Sequence, residues 1–199
     1  NMSSAEAGGF SLAALTAWQG LFESLKIKKD ETVLITGGAG GVGHLAIQLG
    51  KAHGAKVIAT SSTSNLGFLK ELGADACVDY TQGDFVSQIR QVCPTGPDHL
   101  FNCVSLAALQ ELAPTVRRGG KICSIAGRLE VQKTEELGVT FETIFVRPDG
   151  KQLSHLCQLF RDKEVKIHIQ EEFPLNEIAQ AFETSMQGRV RGKIVISVQ

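Results

Sequence analysis

The feature that most constrains this chain is the run Val33-Leu34-Ile35-Thr36-Gly37-Gly38-Ala39-Gly40-Gly41-Val42-Gly43, where an apolar, β-branched stretch passes into a glycine-dense loop. So little side chain is needed only where a backbone turns sharply and comes against something else. Gly38, Gly40 and Gly43 fill a GxGxxG pattern directly after a strand and at the head of a helix. In that setting Gly38 is expected to make the turn off the strand. Gly40 would let the backbone approach a pyrophosphate, and Gly43 would let the helix pack against the sheet. The amides of Gly41 and Val42 would face the phosphates, assisted by the positive end of the helix. No Gly-Lys-Ser/Thr follows, which disfavours a triphosphate loop.

Around this loop, strand-like and helix-like segments alternate. Short β-branched runs occupy Thr32–Thr36, Lys56–Thr60, Ala76–Tyr80, Leu100–Val104 and Lys121–Ala126, with helical patterns at Gly41–His53, Ser64–Leu72, Phe85–Val92 and Leu106–Val116. Gly54, Gly73 and the pair Gly119-Gly120 follow helix ends, where a left-handed cap residue is favoured. Alternation of this kind requires crossovers and hence a parallel sheet. Right-handed crossovers place helices on both faces, and strands apolar almost throughout suit such double cover. The expected fold class is therefore α/β, a doubly wound parallel sheet. Before it, residues 1–25 read as a helical lead-in, opened by Ser3 and Glu6 at capping-box spacing. Beyond it, Arg128–Gly138 reads as a polar loop and Val139–Val146 as a sixth strand. Gln152–Phe160 reads as a helix, Lys166–Gln170 as a half-exposed strand, Leu175–Met186 as a helix and Lys193–Val198 as a final strand. The division is 1–25, 26–150 for the dinucleotide-binding domain, and 151–199 for closing elements.

Composition excludes several function classes. Apolar residues make up 43% of 199 residues, charged residues 21%, and the formal charge is −1 with acids and bases interleaved. That is an ordinary globular mixture, with no basic face for nucleic acid and no polybasic anchor. No apolar run approaches the ~20 residues of a membrane helix, and no signal-peptide pattern opens the chain. The cysteines, Cys77, Cys93, Cys103, Cys123 and Cys157, are odd in number and lack CxxC spacing. They read as reduced, buried thiols, which favours a reducing compartment and a cytoplasmic location. The scattered histidines offer no metal-ligand spacing, so no metal site is expected.

The end of the second strand bears on the cofactor. An Asp or Glu there would accept hydrogen bonds from ribose hydroxyls, but this chain has Thr60-Ser61-Ser62-Thr63-Ser64. Nothing there repels a 2′-phosphate, and Ser61 and Ser62 can donate to one. NADP(H) is the cofactor expected. The same residues also serve as loop and cap, with Ser64 the candidate N-cap of the next helix.

Together the landmarks Ala14-Leu15-Thr16-Ala17-Trp18, the glycine loop, Phe68-Leu69-Lys70-Glu71-Leu72-Gly73-Ala74-Asp75, Asp79-Tyr80, Arg147-Pro148-Asp149-Gly150 and Gly192-Lys193-Ile194-Val195 carry a resemblance. The chain resembles the medium-chain dehydrogenase/reductase superfamily in its zinc-independent quinone oxidoreductase (zeta-crystallin-like) branch. That resemblance implies a Rossmann fold and an N-terminal GroES-like domain absent here, which the closing segments would normally help complete. It implies hydride transfer from NADP(H) to a quinone or an α,β-unsaturated carbonyl. It also implies cofactor contacts by Thr16 near the nicotinamide amide, by Gly40, Gly41 and Val42 at the pyrophosphate, and by Ser61 and Ser62 at the 2′-phosphate. Tyr80 falls beside the adenosine, and Val104, Ser105 and Gly127 line the cofactor's path. Asn65 stands where NADPH-binding members often have a lysine, and Ser105 replaces a glycine, serving as cofactor contact or as helix N-cap. No residue is assigned as catalytic. A homodimer through the edge near Val139–Val146 is expected, with Phe141 as the residue to charge in a test. The alternatives are a non-catalytic dinucleotide-binding or sensor module and, more remotely, a methyltransferase using a similar loop.

Overall fold

The computed structural model describes residues 2–198. Strands β1 (Thr32–Ile35), β2 (Lys56–Ser61), β3 (Ala76–Asp79), β4 (His99–Asn102), β5 (Lys121–Ser124) and β6 (Thr140–Thr143) form one sheet in the order β3-β2-β1-β4-β5-β6. Every pairing is parallel. The two-residue period of a strand explains the double cover. Val33 and Ile35 of β1 face one apolar cluster, shared with Val57, Ala59 and Phe101. Leu34, between them, faces a second cluster with Ile58, Val78, Leu100 and Ile122. The expected doubly wound sheet is what these residues build.

On the first face lie α1 (Ser4–Trp18), α2 (Gly43–Ala52), α3 (Leu66–Glu71) and α7 (Gly150–Arg161); on the second lie α4 (Phe85–Val92) and α5 (Leu106–Leu112). The capping box opens α1: the Ser3 hydroxyl accepts from the Glu6 N–H while the Glu6 carboxylate accepts from the Ser3 N–H. Past Trp18 the helix widens over Gln19–Ser24, and the Leu25 N–H reaches the Gly20 carbonyl. Asp149 caps α7 by accepting from the Lys151 and Gln152 amides.

Three expectations are corrected. Arg128–Gly138 is not a loop but contains helix α6 (Val131–Leu137), stopped by Gly138 at φ 65°. None of its residues is buried, so no apolar stripe announces it. Lys166–Gln170 is not the strand; β7 runs Ile169–Pro174. The backbone before it is held by side chains instead. The Gln48 carboxamide accepts from the Lys166 N–H and donates to its carbonyl, both at 2.8 Å, and His44 Nε2 accepts from the His168 N–H at 3.2 Å. Phe141 of β6 packs inward on the second cluster, so it does not present the edge.

After β7 comes helix α8 (Ile178–Met186), the crossover to β8 (Lys193–Ser197), which pairs parallel with β7 as a separate two-stranded sheet. Ile167, Ile169 and Val195 pack on α1 at Gly9. The Gly192 N–H donates to the Ala39 carbonyl at 2.7 Å, so the start of β8 sits on the glycine loop.

Candidate functional site

Between β1 and β4 the winding direction of the sheet reverses. In open α/β sheets, the carboxyl edge at that point holds the binding crevice. The glycine loop lies there. Its left-handed residue is Gly37, at φ +62°, one position before the Gly38 expected to make the turn. A Cβ on Gly43 would collide with the Gly37 carbonyl, so this helix head can fold back on the turn only as glycine. Gly38 is packed beneath, against Leu69, Ala59 and Ile47, and its N–H donates to the Thr60 carbonyl at 2.9 Å. The Gly40 N–H closes the turn on the Gly37 carbonyl, also at 2.9 Å. Among the described residues, the Gly41 and Val42 amides meet no protein acceptor at the head of α2. They form a donor pair at a positive helix end.

A cleft of about 560 Å³ runs from this loop, bounded by Gly40, Ser61, Val104 and Ser105. A second cavity of about 700 Å³ shares Ser62, Asn65, Tyr80 and Arg189 with the first and adds Thr63, His168 and Arg191. The two together follow the carboxyl edge from the phosphate loop past the end of β2. Tyr80 and Val104 expose 52% and 53% of their surface, so both offer apolar area for a flat ligand to cover.

The charges around the second cavity favour an anion. The Arg191 Nε–H donates to Asn65 Oδ1 at 2.8 Å, and its guanidinium stacks 5.2 Å from the Phe68 ring centre. Asp79, at the end of β3, lines neither cavity. Its carboxylate accepts from the Thr63 and Thr81 hydroxyls, which hold its pKa below the usual carboxylate range. Lys193 lies on the other side of the loop: a Cβ on Gly41 would sit 3.5 Å from its Nζ.

His44 supports the loop from below. It is fully buried, and burial pushes its pKa down to about 4. Its Nδ1 lies 2.8 Å from the Gly40 carbonyl while Nε2 accepts from His168. These contacts define a neutral ring protonated at Nδ1.

Of the residues singled out from the sequence, Gly40, Ser61, Ser62, Asn65, Tyr80, Val104 and Ser105 line the cleft. Gly41, Val42 and Gly43 form the head of α2. Ser105 lines the cleft, and its hydroxyl accepts from the Ala108 N–H as the N-cap of α5. Ser64 is not an N-cap; it sits within a 3₁₀ turn with its hydroxyl 3.2 Å from that of Ser62. Gly127, at φ +92°, abuts Leu106 rather than the cleft. Thr16 lies outside both cavities, its hydroxyl donating back to the Leu12 carbonyl. Sequence reasoning missed Arg189 and Arg191, which line the second cavity, and Lys193 beside the glycine loop; all three come to the site on the turn into β8 from far along the chain.

A model of the family described as zinc-binding dehydrogenase matches residues 72–196. Quinone-oxidoreductase QR1 (chloroplastic) of Triphysaria versicolor is 30% identical over 98% of this chain and 62% of its own length. The 2-methylene-furan-3-one reductase of Solanum lycopersicum is 35% identical over 98% of this chain and 47% of its own. Among solved structures, the quinone oxidoreductase from Coxiella burnetii superposes with a TM-score of 0.90 at 33% identity, covering 100% of this chain and 62% of that one. The chain thus spans about half to three-fifths of the length of these relatives.

Proposed function

Given that the chain belongs to the zinc-binding dehydrogenase family and is built like its quinone oxidoreductases, we propose that it binds NADP(H) for hydride transfer to a quinone or α,β-unsaturated carbonyl. The observation that carries this reading is the continuous carboxyl-edge groove linking unengaged loop amides to an arginine seated on Asn65. The Gly41 and Val42 amides and Lys193 hold the diphosphate. Ser61, Ser62, Arg189 and Arg191 surround the 2′-phosphate, so the guanidinium restores the cationic contact that Asn65 lacks. Tyr80 covers the adenosine. The bound cofactor supplies the hydride; the protein fixes the nicotinamide and keeps water from it.

Among the described residues, no group of three or more His, Cys, Asp or Glu side chains is arranged to hold a metal ion. The donors of this chain do not fit a zinc ion, and no step here runs through one. No helix among the described residues is long and apolar enough to cross a membrane. Free thiols at Cys77, Cys93, Cys103, Cys123 and Cys157 support a reducing compartment, which we take to be the cytoplasm, although the Triphysaria relative is chloroplastic. We also read the outer edge of β6, which among the described residues pairs only with β5, as the seam with a second copy of the chain.

The test is titration of the chain with NADPH, NADH and S-adenosylmethionine, followed by nicotinamide fluorescence and thermal shift. NADPH is expected to bind tightest, and a chain that bound only S-adenosylmethionine would overturn the reading. Turnover of a quinone or enone by the complete protein separates an enzyme from a dinucleotide sensor.

A further inference from the structure

Outside the groove, the carboxamide of Asn102 is completely buried at the end of β4. Its Oδ1 accepts from the Thr36 hydroxyl at 3.0 Å, and that hydroxyl in turn accepts from the Cys103 N–H at 2.8 Å. Its Nδ2 donates to the Ser105 carbonyl at 3.2 Å, to Ser124 Oγ at 3.0 Å and to the Ala126 carbonyl at 2.8 Å. One side chain therefore ties the end of β1 to the turns that follow β4 and β5. Two of the groups it holds, Thr36 and Ser105, belong to residues in the cleft wall. An apolar residue would fill the same space but would leave these three acceptors without the amide that donates to them.

The topology says which part of a ligand these turns serve. A doubly wound sheet has two mononucleotide halves on either side of its switch point. With the diphosphate on the glycine loop and the arginines beyond β2, the opposite half lies over β4 and β5. We propose that Asn102 is the positioning residue of the nicotinamide half: it sets the turns at Cys103–Ser105 and Ile125–Gly127 without touching the ligand. This inference rests on the dinucleotide reading given above.

The experiment uses Asn102→Leu, which keeps the branched four-atom side-chain shape and removes the donors and acceptor. Hydrogen exchange on the free chain is read at residues 103–108 and 125–129, then NADPH and 2′,5′-ADP are titrated. Exchange in both turns is expected to rise at least about tenfold while β1 and β2 stay protected, since a lost buried network loosens its own surroundings first. The affinity for 2′,5′-ADP, which lacks the nicotinamide, should hold within about twofold because distant sites act independently. The fluorescence enhancement of bound NADPH should fall by about half or more. Should Asn102→Leu fail to fold, Ser124→Ala removes a single arm and is expected to show the same pattern in weaker form. Unchanged exchange in both turns, or equal weakening of NADPH and 2′,5′-ADP, overturns the inference. A wild-type chain that binds neither compound overturns the dinucleotide reading itself, and the nicotinamide role falls with it.

Discussion

Replacing Arg191 with alanine removes a guanidinium whose Nε donates to Asn65 Oδ1 at 2.8 Å and whose Nη2 donates to the Ser64 carbonyl at 3.3 Å, leaving Nη1 to serve the second cavity. A 2′-phosphate oxygen about 4 Å from this group, at an effective dielectric near 20, would gain roughly 4 kcal/mol per unit charge. The side chain is half-buried and water competes for it, so about half of that, some 2 kcal/mol, is the working figure. This corresponds to about a 30-fold loss of NADPH affinity, each 1.4 kcal/mol being about tenfold. NADH has no phosphate there and should lose about twofold or less. Arg191 also stacks on Phe68, worth ~0.5–1 kcal/mol of local stability. For that reason the NADPH-to-NADH affinity ratio is the quantity to measure, since structural damage shared by both ligands cancels from it. Fluorescence titration at low and high salt gives the ratio, and the wild-type preference should narrow as salt rises. If both cofactors weakened equally, Arg191 would be a structural prop and the 2′-phosphate assignment would fail.

Gly43→Ala would drive a methyl into the Gly37 carbonyl and is expected to cost about 3 kcal/mol or more, read as a lowered urea midpoint; a wild-type midpoint would mean the loop is looser than described. His44 has a folded pKa near 4 against an unfolded value near 6.5, so the unfolded chain binds the extra proton between them. The stability it contributes is present above pH 6.5 and lost as pH falls toward 4, by up to about 3 kcal/mol. His44→Gln should flatten that part of the pH–stability curve, and an unchanged slope would count against the buried neutral ring. At the outer edge, the ladder alternation turns the Thr143 N–H away from β5. Thr143→Pro should therefore convert a dimer to a monomer in light scattering while leaving the circular dichroism unchanged; a persisting dimer would place the seam elsewhere.

The central strands were legible because burial on both faces writes them as unbroken apolar runs, as at Val33–Ile35 and Leu100–Phe101. The glycine loop was legible because its constraint is steric and local. Helix α6 was not, since Gln132 to Glu136 bury nothing and only the stop at Gly138 marks it. Lys166-Ile167-His168 alternates like a strand, but the Lys166 N–H and carbonyl and the His168 N–H are bonded to the side chains of Gln48 and His44, so β7 begins only at Ile169. The arginine on Asn65 arrives from 126 residues away, and no local pattern records such a contact. The half of the site encoded in consecutive residues could be read; the half assembled by the return of β8 could not.

That return has a consequence for how the protein comes into being. The Ala39 carbonyl is synthesised about 150 residues before the Gly192 amide that clasps it. During translation the nascent phosphate loop therefore waits, open on one side, while the rest of the sheet assembles around it. Completion of the groove then waits on the docking of β8, and added dinucleotide should rescue folding steps that follow this docking rather than those that precede it.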